Sequence, residues 1–279
     1  MAADLHCHTK MSDGSVGIDE LILLAKARGI STISVTDHDT FAGATRAKIF
    51  GDRRGVEVIP GAEFSTMDPL TGRRAHILCY LCDRPERLEG LCKRIGDLRR
   101  RAANIMIQKV MRLYPIHPEI ILRRAQGSTN VFKQHIMHAL IDTGYTDEFY
   151  GSLYQKLFNR RTGLARSPIE YPDVHDVIRQ VHEAGGVAVL AHPGEYDSYD
   201  LLDQLARDGE IDGVEVWHPR NNPGDEERFI QVAQQYGLIM TGGTDYHGMY
   251  TSEPHPIGTC TTPDDQLEAL KKKKQCYKG

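Results

Sequence analysis

Residues 4–9 read Asp4-Leu5-His6-Cys7-His8-Thr9, and this stretch decides the fold. In an extended strand successive side chains point to opposite faces, so His6 and His8 share one face while Leu5 and Cys7 share the other. Two imidazoles on one face of a strand are typical of half of a metal site. They form such a site only where further ligands converge on the same face.

Apolar runs of strand length alternate with amphipathic runs of helical spacing on both sides of a central region. Before that region, helices are predicted over 18–28 and 42–53, and strands over 31–39, 55–65 and 75–81. After it, helices are predicted over 174–184, 199–208 and 224–236, and strands over 186–193, 212–219 and 238–248. With the first strand, the strand count is seven. This α/β alternation predicts βα units around a parallel sheet closed into a TIM-like barrel.

The central region, from about residue 100 to residue 165, has a helical pattern, many basic residues and no strand-like run. We expect it to form a small helical subdomain inserted into the barrel, reached through a long segment over 85–113. The predicted domains are therefore a barrel over 1–100 and 166–279 and a helical cap over 101–165. A chain of 279 residues is long enough for one barrel with such an insertion.

Composition narrows the classes of function. No stretch approaches the roughly 18 apolar residues that a membrane span requires, and no secretory signal pattern is seen, so a cytoplasmic protein is expected. The net charge of -4 gives no reason to expect binding to a nucleic-acid duplex. Six scattered cysteines predict buried thiols, Cys79 and Cys82 included, rather than disulfides or a zinc site. The lysine-rich end, 271–279, is expected to be solvated.

Residues of the types that bind metals recur where the predicted strands end. There are nine of them: His6, His8, Asp13, His38, Glu63, His76, His192, Asp245 and His247. A single histidine at a strand end is more often hydrogen-bonded or solvated than a ligand. In a barrel, however, these ends meet at one face, and a mixture of imidazoles and carboxylates gathered there suits several metal ions. The pattern therefore predicts a metal site at the mouth of the barrel.

The motifs that carry these residues resemble those of a known family. They are "DLHCHT" at 4–9, "TDHD" at 36–39, "GAEFS" at 61–65, "AHIL" at 75–78, "AHP" at 191–193 and "GTDYHG" at 243–248. The set resembles the PHP superfamily, named for polymerase and histidinol phosphatase, and is most similar to bacterial members with a helical insertion in a distorted seven-stranded barrel. The resemblance implies a metal-dependent phosphoesterase whose small phosphorylated substrate is a nucleotide, such as a nucleoside 3′,5′-bisphosphate, or a short oligonucleotide.

The resemblance also implies three divalent metal ions (Mn, Fe or Zn) and assigns their ligands. The first ion would be held by His6, His8, Glu63 and Asp245, the second by Glu63, His76 and His192, and the third by Asp13, His38 and His247. Six positive charges against three carboxylates leave an excess of about three, which attracts an anion. The expected mechanism is attack of a metal-bridging hydroxide on phosphorus, with catalytic residues Glu63, Asp245 and His192. Either His192 or bound water would protonate the leaving alcohol, and we expect the imidazoles to be oriented by Asp4, Thr36 and Asp37.

Substrate contacts are expected from the cap and from the loop after the sixth strand, at Lys133, His135, Arg161, Arg166, His218 and Arg220. The cap departs from the pattern of similar phosphoesterases, which read Arg and Pro where this chain has Lys133 and Gln134. Lys lacks the bidentate fork of Arg, so the resemblance does not carry the nucleotide substrate over unchanged.

Three other interpretations stay open. A histidinol-phosphate-type phosphatase would use the same chemistry, although a cap over the mouth favours a larger substrate. An amidohydrolase-like C–N hydrolase would need a lysine after the fourth strand to bridge two metals, a role that falls to Glu63 here. A non-catalytic PHP module would be expected to have lost ligands, whereas all nine positions are filled.

Overall fold

The computed structural model describes residues 2–276, and their side chains as far as Lys274. One sheet of seven strands follows chain order: β1 (Ala2–Cys7), β2 (Ile30–Val35), β3 (Glu57–Met67), β4 (Arg74–Tyr80), β5 (Val187–Leu190), β6 (Gly213–Trp217) and β7 (Ile239–Gly242). The described helices are α1 (Ile18–Ala27), α2 (Ala44–Arg54), α3 (Glu89–Leu113), α4 (Pro118–Arg124), α5 (Lys133–Asp142), α6 (Ser152–Phe158), α7 (Val174–Glu183), α8 (Tyr199–Arg207), α9 (Asp225–Tyr236) and α10 (Asp264–Cys276). The predicted class, a seven-stranded α/β barrel with inserted helices, is confirmed.

The sheet is mixed, and the expectation of a wholly parallel sheet was wrong at β4. β1 to β3 run parallel, as do β5 to β7, but β4 runs antiparallel to both of its neighbours. The connection from β3 to β4 spans only 68–73, where the Asp68 side chain accepts local hydrogen bonds and Gly72 has a φ of 67°. Parallel neighbours need a crossover of a dozen or more residues, so this short turn imposes antiparallel pairing. The reversal places His76 beside Ser65, near the far end of β3.

Hydrogen bonds between β1 and the segment after β7 close the sheet. The N–H of His8 donates to the carbonyl of Tyr246 over 2.8 Å, and the N–H of Tyr246 donates to the carbonyl of His6 over 3.2 Å. Closure leaves no unpaired edge here, and it brings the first ligand motif beside the last.

The two apolar side chains of the first motif face different surroundings. Leu5 belongs to a buried cluster formed by several strands and α10, whereas Cys7 packs in the cluster around α1. The strict alternation predicted for β1 was therefore wrong at Leu5. The register of β1 against β2 shifts between Asp4 and Cys7, and this irregularity breaks the two-residue period.

The lysine-rich end was also predicted wrongly as far as the structure describes it. α10 runs to Cys276, with Lys271 Nζ 3.0 Å from Glu57 Oε1 and Lys274 Nζ 2.7 Å from Asp83 Oδ2. Lys274 is only 8% exposed. Two lysines that were expected to be solvated thus pair with carboxylates next to strand ends. The last three residues, 277–279, lie outside the described residues.

Four helices, α3 to α6, form the insertion over the barrel. The first half of α3 contributes Leu91 and Ile95 to the core shared with the barrel, and its second half contributes Ala103 and Val110 to a separate core among the inserted helices. The division at residues 101 and 165 stays a prediction, and α3 crosses it without a break. Within residues 2–276 no helix is both long enough and apolar enough to cross a membrane.

Candidate metal centre

Glu63, on β3, lies among five of the predicted histidine ligands and contacts four of them closely. Its Oε1 atom is 2.7 Å from His76 Nδ1 and 2.9 Å from His192 Nε2. Its Oε2 atom is 2.9 Å from His38 Nδ1 and 3.3 Å from His8 Nε2. One buried carboxylate therefore joins imidazoles that come from four different parts of the barrel.

Asp245, in the segment after β7, extends the cluster towards β1. Its Oδ1 atom lies 3.1 Å from His8 Nε2 and 3.5 Å from His6 Nε2. Its backbone has a φ of 50°, in the left-handed region that residues with a side chain adopt uncommonly.

Asp13, in the loop after β1, extends the cluster on another side. Its Oδ1 atom lies 3.3 Å from His247 Nε2 and 3.7 Å from His38 Nε2. Together with His8 these three residues form a group whose ligand atoms all lie within 4.8 Å of one another. All nine predicted ligand side chains therefore meet in one cluster.

Unsatisfied polar atoms are concentrated in this cluster. Of the buried side-chain atoms without a hydrogen-bond partner in the described residues, all but Thr241 Oγ1 lie here: His6 Nε2, His8 Nε2, Asp13 Oδ1, His38 Nδ1, Glu63 Oε2, His192 Nδ1, Glu195 Oε2 and His218 Nε2. A buried polar atom without a partner is costly. Imidazole nitrogens and carboxylate oxygens that converge in this way fit divalent cations.

The charges of the cluster are strongly coupled. Burial opposes ionisation of Asp13 and Glu63, but the surrounding imidazoles outweigh it and hold the pKa of both carboxyls well below the ordinary range. Burial likewise opposes protonation of His8, yet Asp245 and Glu63 raise its pKa to about 10. Burial prevails at His76, where the pKa falls to about 4. Because metal binding needs neutral imidazoles, cations entering this cluster displace protons from it.

Asp4, Thr36 and Asp37 hold loops and backbone rather than imidazoles, so the role predicted for them was wrong. Asp37 accepts hydrogen bonds from the loop after β1, and Asp4 accepts them from the loop after β7. The Thr36 hydroxyl bonds to the backbone of β1. Their side chains shape the loops that carry Asp13 and Asp245.

Glu215, on β6, is a carboxylate of the site that the sequence analysis missed. It is fully buried, with Oε1 2.9 Å from His6 Nδ1 and with Oε2 accepting the N–H of His192 over 2.9 Å. Its sequence signal is a charged residue inside an apolar strand, between Val214 and Val216.

A cavity of about 560 Å³ lies between the cluster and the inserted helices. Three of the predicted substrate residues line it: Lys133, Arg161 and Arg220. Three are not brought to its wall: His135, Arg166 and His218. The imidazoles of His135 and His218 are buried, and each accepts a hydrogen bond from a nearby backbone N–H. Arg166 is exposed beyond α6.

Arg220 reaches the centre, where it pairs with acids. Its guanidinium bonds to Asp245 Oδ2, and its Nε atom lies 3.4 Å from Glu195 Oε2. Glu195 is a second carboxylate that the sequence motifs do not include. One possible ligand atom of Glu195 lies within 4.8 Å of one each of His192 and Asp245. Arg220 thus offsets negative charge at the edge of the cluster.

Besides Arg99, which pairs with Asp39, the cavity wall carries two further cations that were not predicted, Arg74 and Arg160. Each guanidinium lies over a tyrosine ring, at 5.1 Å and 5.3 Å respectively. Burial and the neighbouring Arg74 and Arg160 lower the pKa of Lys133 to about 8. A signal for Arg74 was available, because strand alternation puts it on the same face as His76.

A mixed barrel whose mouth gathers imidazoles and carboxylates beneath inserted helices with cationic side chains defines a class of metal-dependent hydrolases of phosphate esters. The chain belongs to the PHP domain family, whose family model matches residues 4–161. It is a metal-dependent phosphoesterase, as the sequence predicts.

Known proteins of this family resemble the chain along nearly its whole length. It is 40% identical over 259 residues to phosphoribosyl 1,2-cyclic phosphate 1,2-diphosphodiesterase of Eggerthella lenta, covering 91% of this chain and 97% of the relative. It is 27% identical to 3′,5′-nucleoside bisphosphate phosphatase of Chromobacterium violaceum, covering 88% and 86%. A solved structure from Bifidobacterium adolescentis, assigned as a metal-dependent phosphoesterase, matches with a TM-score of 0.88 at 28% identity, covering 97% of this chain and 96% of that one.

Proposed function

We propose that the chain hydrolyses a phosphate ester of a small sugar phosphate that carries a second phosphoryl group, with a phosphoribosyl cyclic phosphate as the leading candidate. One observation carries the proposal: Arg74, Lys133 and Arg160 line the cavity that the ligand cluster also lines, and among the described residues none of them has a carboxylate partner. Guanidinium and ammonium groups bind phosphate oxygens through charge-assisted hydrogen bonds. With one phosphoryl group at the metal centre, these cations bind the other.

The metal centre would be trinuclear, with the ligand sets assigned from the sequence and with Mn, Fe or Zn as the divalent ion. Such ions polarise phosphoryl oxygens and lower the pKa of bound water. Glu63 holds a position shared between two ligand sets, because each of its oxygens faces two imidazoles. The Asp245 carboxylate pairs with the Arg220 guanidinium at the edge of the site.

His192 is proposed to orient the leaving alcohol through a hydrogen bond from its ring N–H, and the proton that the alcohol takes up would come from water bound at the centre. Its Nε2 atom is directed at Glu63 Oε1 over 2.9 Å, so in the neutral ring that binds a cation the proton sits on Nδ1. That nitrogen has no hydrogen-bond partner, and the nearest carboxylate, Glu195, is 4.0 Å away. His192 lines the cavity, which places this proton beside the substrate.

The percentage of sequence identity to the named relatives ranks the candidate substrates. The Eggerthella lenta relative, at 40% identity, carries a name that specifies a phosphoribosyl cyclic phosphate. The nucleotide phosphatase of Chromobacterium violaceum is less similar, at 27% identity. Lys133 stands where the sequence resemblance leads us to expect Arg, and because Lys lacks the bidentate fork of Arg, the nucleotide substrate is not carried over unchanged.

A nucleoside 3′,5′-bisphosphate or a short oligonucleotide is the second candidate. The half-buried Tyr154 lines the cavity, and aromatic side chains of this kind stack on nucleic-acid bases. This candidate uses the same metal centre and the same cationic side chains, and it differs only in what occupies the apolar part of the cavity.

Chromatographic analysis of the hydrolysis products from a substrate panel tests the proposal, because opening a cyclic phosphodiester or trimming an oligonucleotide releases no inorganic phosphate. The Mn²⁺-loaded protein would be assayed with phosphoribosyl 1,2-cyclic phosphate, a nucleoside 3′,5′-bisphosphate, a 5′-phosphorylated oligonucleotide and histidinol phosphate. We expect the highest kcat/KM with the first. A higher value with the bisphosphate or the oligonucleotide would establish the second candidate instead, and no hydrolysis product from any of the substrates would reject both.

A further inference from the structure

Glu215 occupies a position that neither metal ligation nor substrate binding explains. It is fully buried in β6, away from the cavity lining, and both of its oxygens are engaged. One oxygen lies 2.9 Å from the ring of His6, on β1, and the other accepts the backbone N–H of His192, two residues after β5. A single carboxylate thus connects two predicted ligands that belong to two different ion sites.

The proton positions around Glu215 follow from what each partner must do. The backbone N–H of His192 can only donate. His6 Nε2 faces Glu63 and Asp245, at 3.5 Å from each, so this nitrogen must carry the lone pair if it binds a cation. The proton of the neutral His6 ring is then on Nδ1, 2.9 Å from Glu215 Oε1. Both partners donate, and only an ionised carboxylate accepts on both sides.

The hydrogen bond from the His192 N–H to Glu215 also restrains an unusual backbone conformation. His192 has a φ of 25°, a left-handed conformation that is unfavourable for any residue with a Cβ atom. Surrounding structure must hold such a residue in place. The Glu215 carboxylate supplies one such restraint through the N–H of His192, and the conformation it fixes directs the imidazole at Glu63.

We propose that Glu215 is a positioning residue that fixes the tautomer of His6 and the backbone of His192 together, and so couples the formation of two ion sites. The proposal rests on the trinuclear centre of the proposed function. It predicts that neutralising Glu215 weakens metal binding without removing any ligand. Groups that orient ligand imidazoles typically change metal affinity by about 10- to 100-fold when they are altered.

The test is the isosteric variant Glu215→Gln, because an amide has one accepting oxygen and one donating nitrogen. It must present its NH₂ group either to the His192 N–H or to the protonated nitrogen of His6. The chain offers a matched control in Asp212→Asn. Asp212 is also a buried acid next to β6, and it accepts the backbone N–H of a β5 residue, Ala188, and contacts a histidine, His182.

Affinity for Mn²⁺ would be measured by competition with a chelator, with metal content per chain determined in parallel. We expect the affinity to fall about 10- to 100-fold in Glu215→Gln and to be unchanged in Asp212→Asn. Wild-type affinity in a folded Glu215→Gln variant would overturn the inference. If that variant does not fold, Glu215→Asp decides, since its shorter carboxylate reaches only one partner; unchanged affinity there would overturn the inference as well. Absence of Mn²⁺ binding in the wild-type protein would instead reject the metal centre itself.

Discussion

Gln134 of the inserted helices donates a hydrogen bond from Nε2 to Asp13 Oδ2, over 3.2 Å. Asp13 is one of the three predicted carboxylate ligands, and its other oxygen faces His38 and His247. The inserted helices therefore contact the metal centre directly. The contact depends on the side-chain amide of Gln134.

Replacing Gln134 by Leu is expected to weaken the ion site formed by Asp13, His38 and His247. The amide holds one oxygen of Asp13 and leaves the other free to bind, and loss of such a contact typically costs about tenfold in affinity. Metal content after equilibration with limiting Mn²⁺ would fall below that of the wild type. Gln155→Leu is the control, because Gln155 lines the same cavity without contacting a predicted ligand. Equal metal content in both variants would contradict the expectation.

Replacing His8 by Ala is expected to reduce kcat by about a thousandfold, roughly 4 kcal/mol of transition-state stabilisation. His8 Nε2 lies between Glu63 and Asp245, so its loss affects two of the three carboxylates at once. The measurement pairs kcat with metal content and the far-ultraviolet circular dichroism spectrum, which should be unchanged. His175→Ala removes an imidazole that pairs with Glu210 away from the site, and it should retain activity and metal. An active, fully metallated His8→Ala protein would refute the ligand role.

The strands could be predicted from the sequence because their apolar runs end in short polar motifs, and the ligand cluster followed from those motifs. The direction of β4 could not be predicted from periodicity. A strand alternates its side chains in the same way in either direction, so periodicity puts His76 on the inner face in both cases, but only the antiparallel direction places it beside Ser65. Only the length of the connection over 68–73 distinguishes the two directions, and it allows only the antiparallel one.

The roles of polar residues outside the motifs could not be predicted from the sequence, because they depend on how the elements pack in three dimensions. His135 and His218 are residue types that bind phosphate, but Nδ1 of each accepts a backbone N–H, and Nε2 of His218 faces Asp245 Oδ2 at 3.5 Å rather than the cavity. Arg74 and Arg160 carry no motif and nevertheless line the cavity. Whether such a side chain faces the cavity depends on how its helix or strand is rotated and packed, and spacing along the chain does not determine that.

Replacing Arg74 by Met should separate recognition of the second phosphoryl group from catalysis. Arg74 has no carboxylate partner among the described residues, so its charge is free for substrate. A charge-assisted hydrogen bond to phosphate contributes about 1.5–3 kcal/mol, or roughly 10- to 100-fold in KM for the doubly phosphorylated substrate. KM for phenyl phosphate, which has no second phosphoryl group, should stay unchanged. Arg73→Met is the control, since Arg73 pairs with Asp197 at the surface. Equal KM changes for both substrates would refute the assignment.

The charge of the Lys133 ammonium group should make substrate binding depend on pH. Burial and neighbouring arginines lower its pKa to about 8, so in the free enzyme its ammonium charge is present below that pH and is lost as the pH rises above it. The substrate phosphates are fully ionised over this range, because their second pKa is about 6. KM for the doubly phosphorylated substrate should therefore rise by up to about tenfold per pH unit above pH 8, while kcat changes less. In Lys133→Arg the guanidinium stays charged, so KM measured between pH 7 and 9 should be flat. A rise of equal size in both proteins would show that another group titrates.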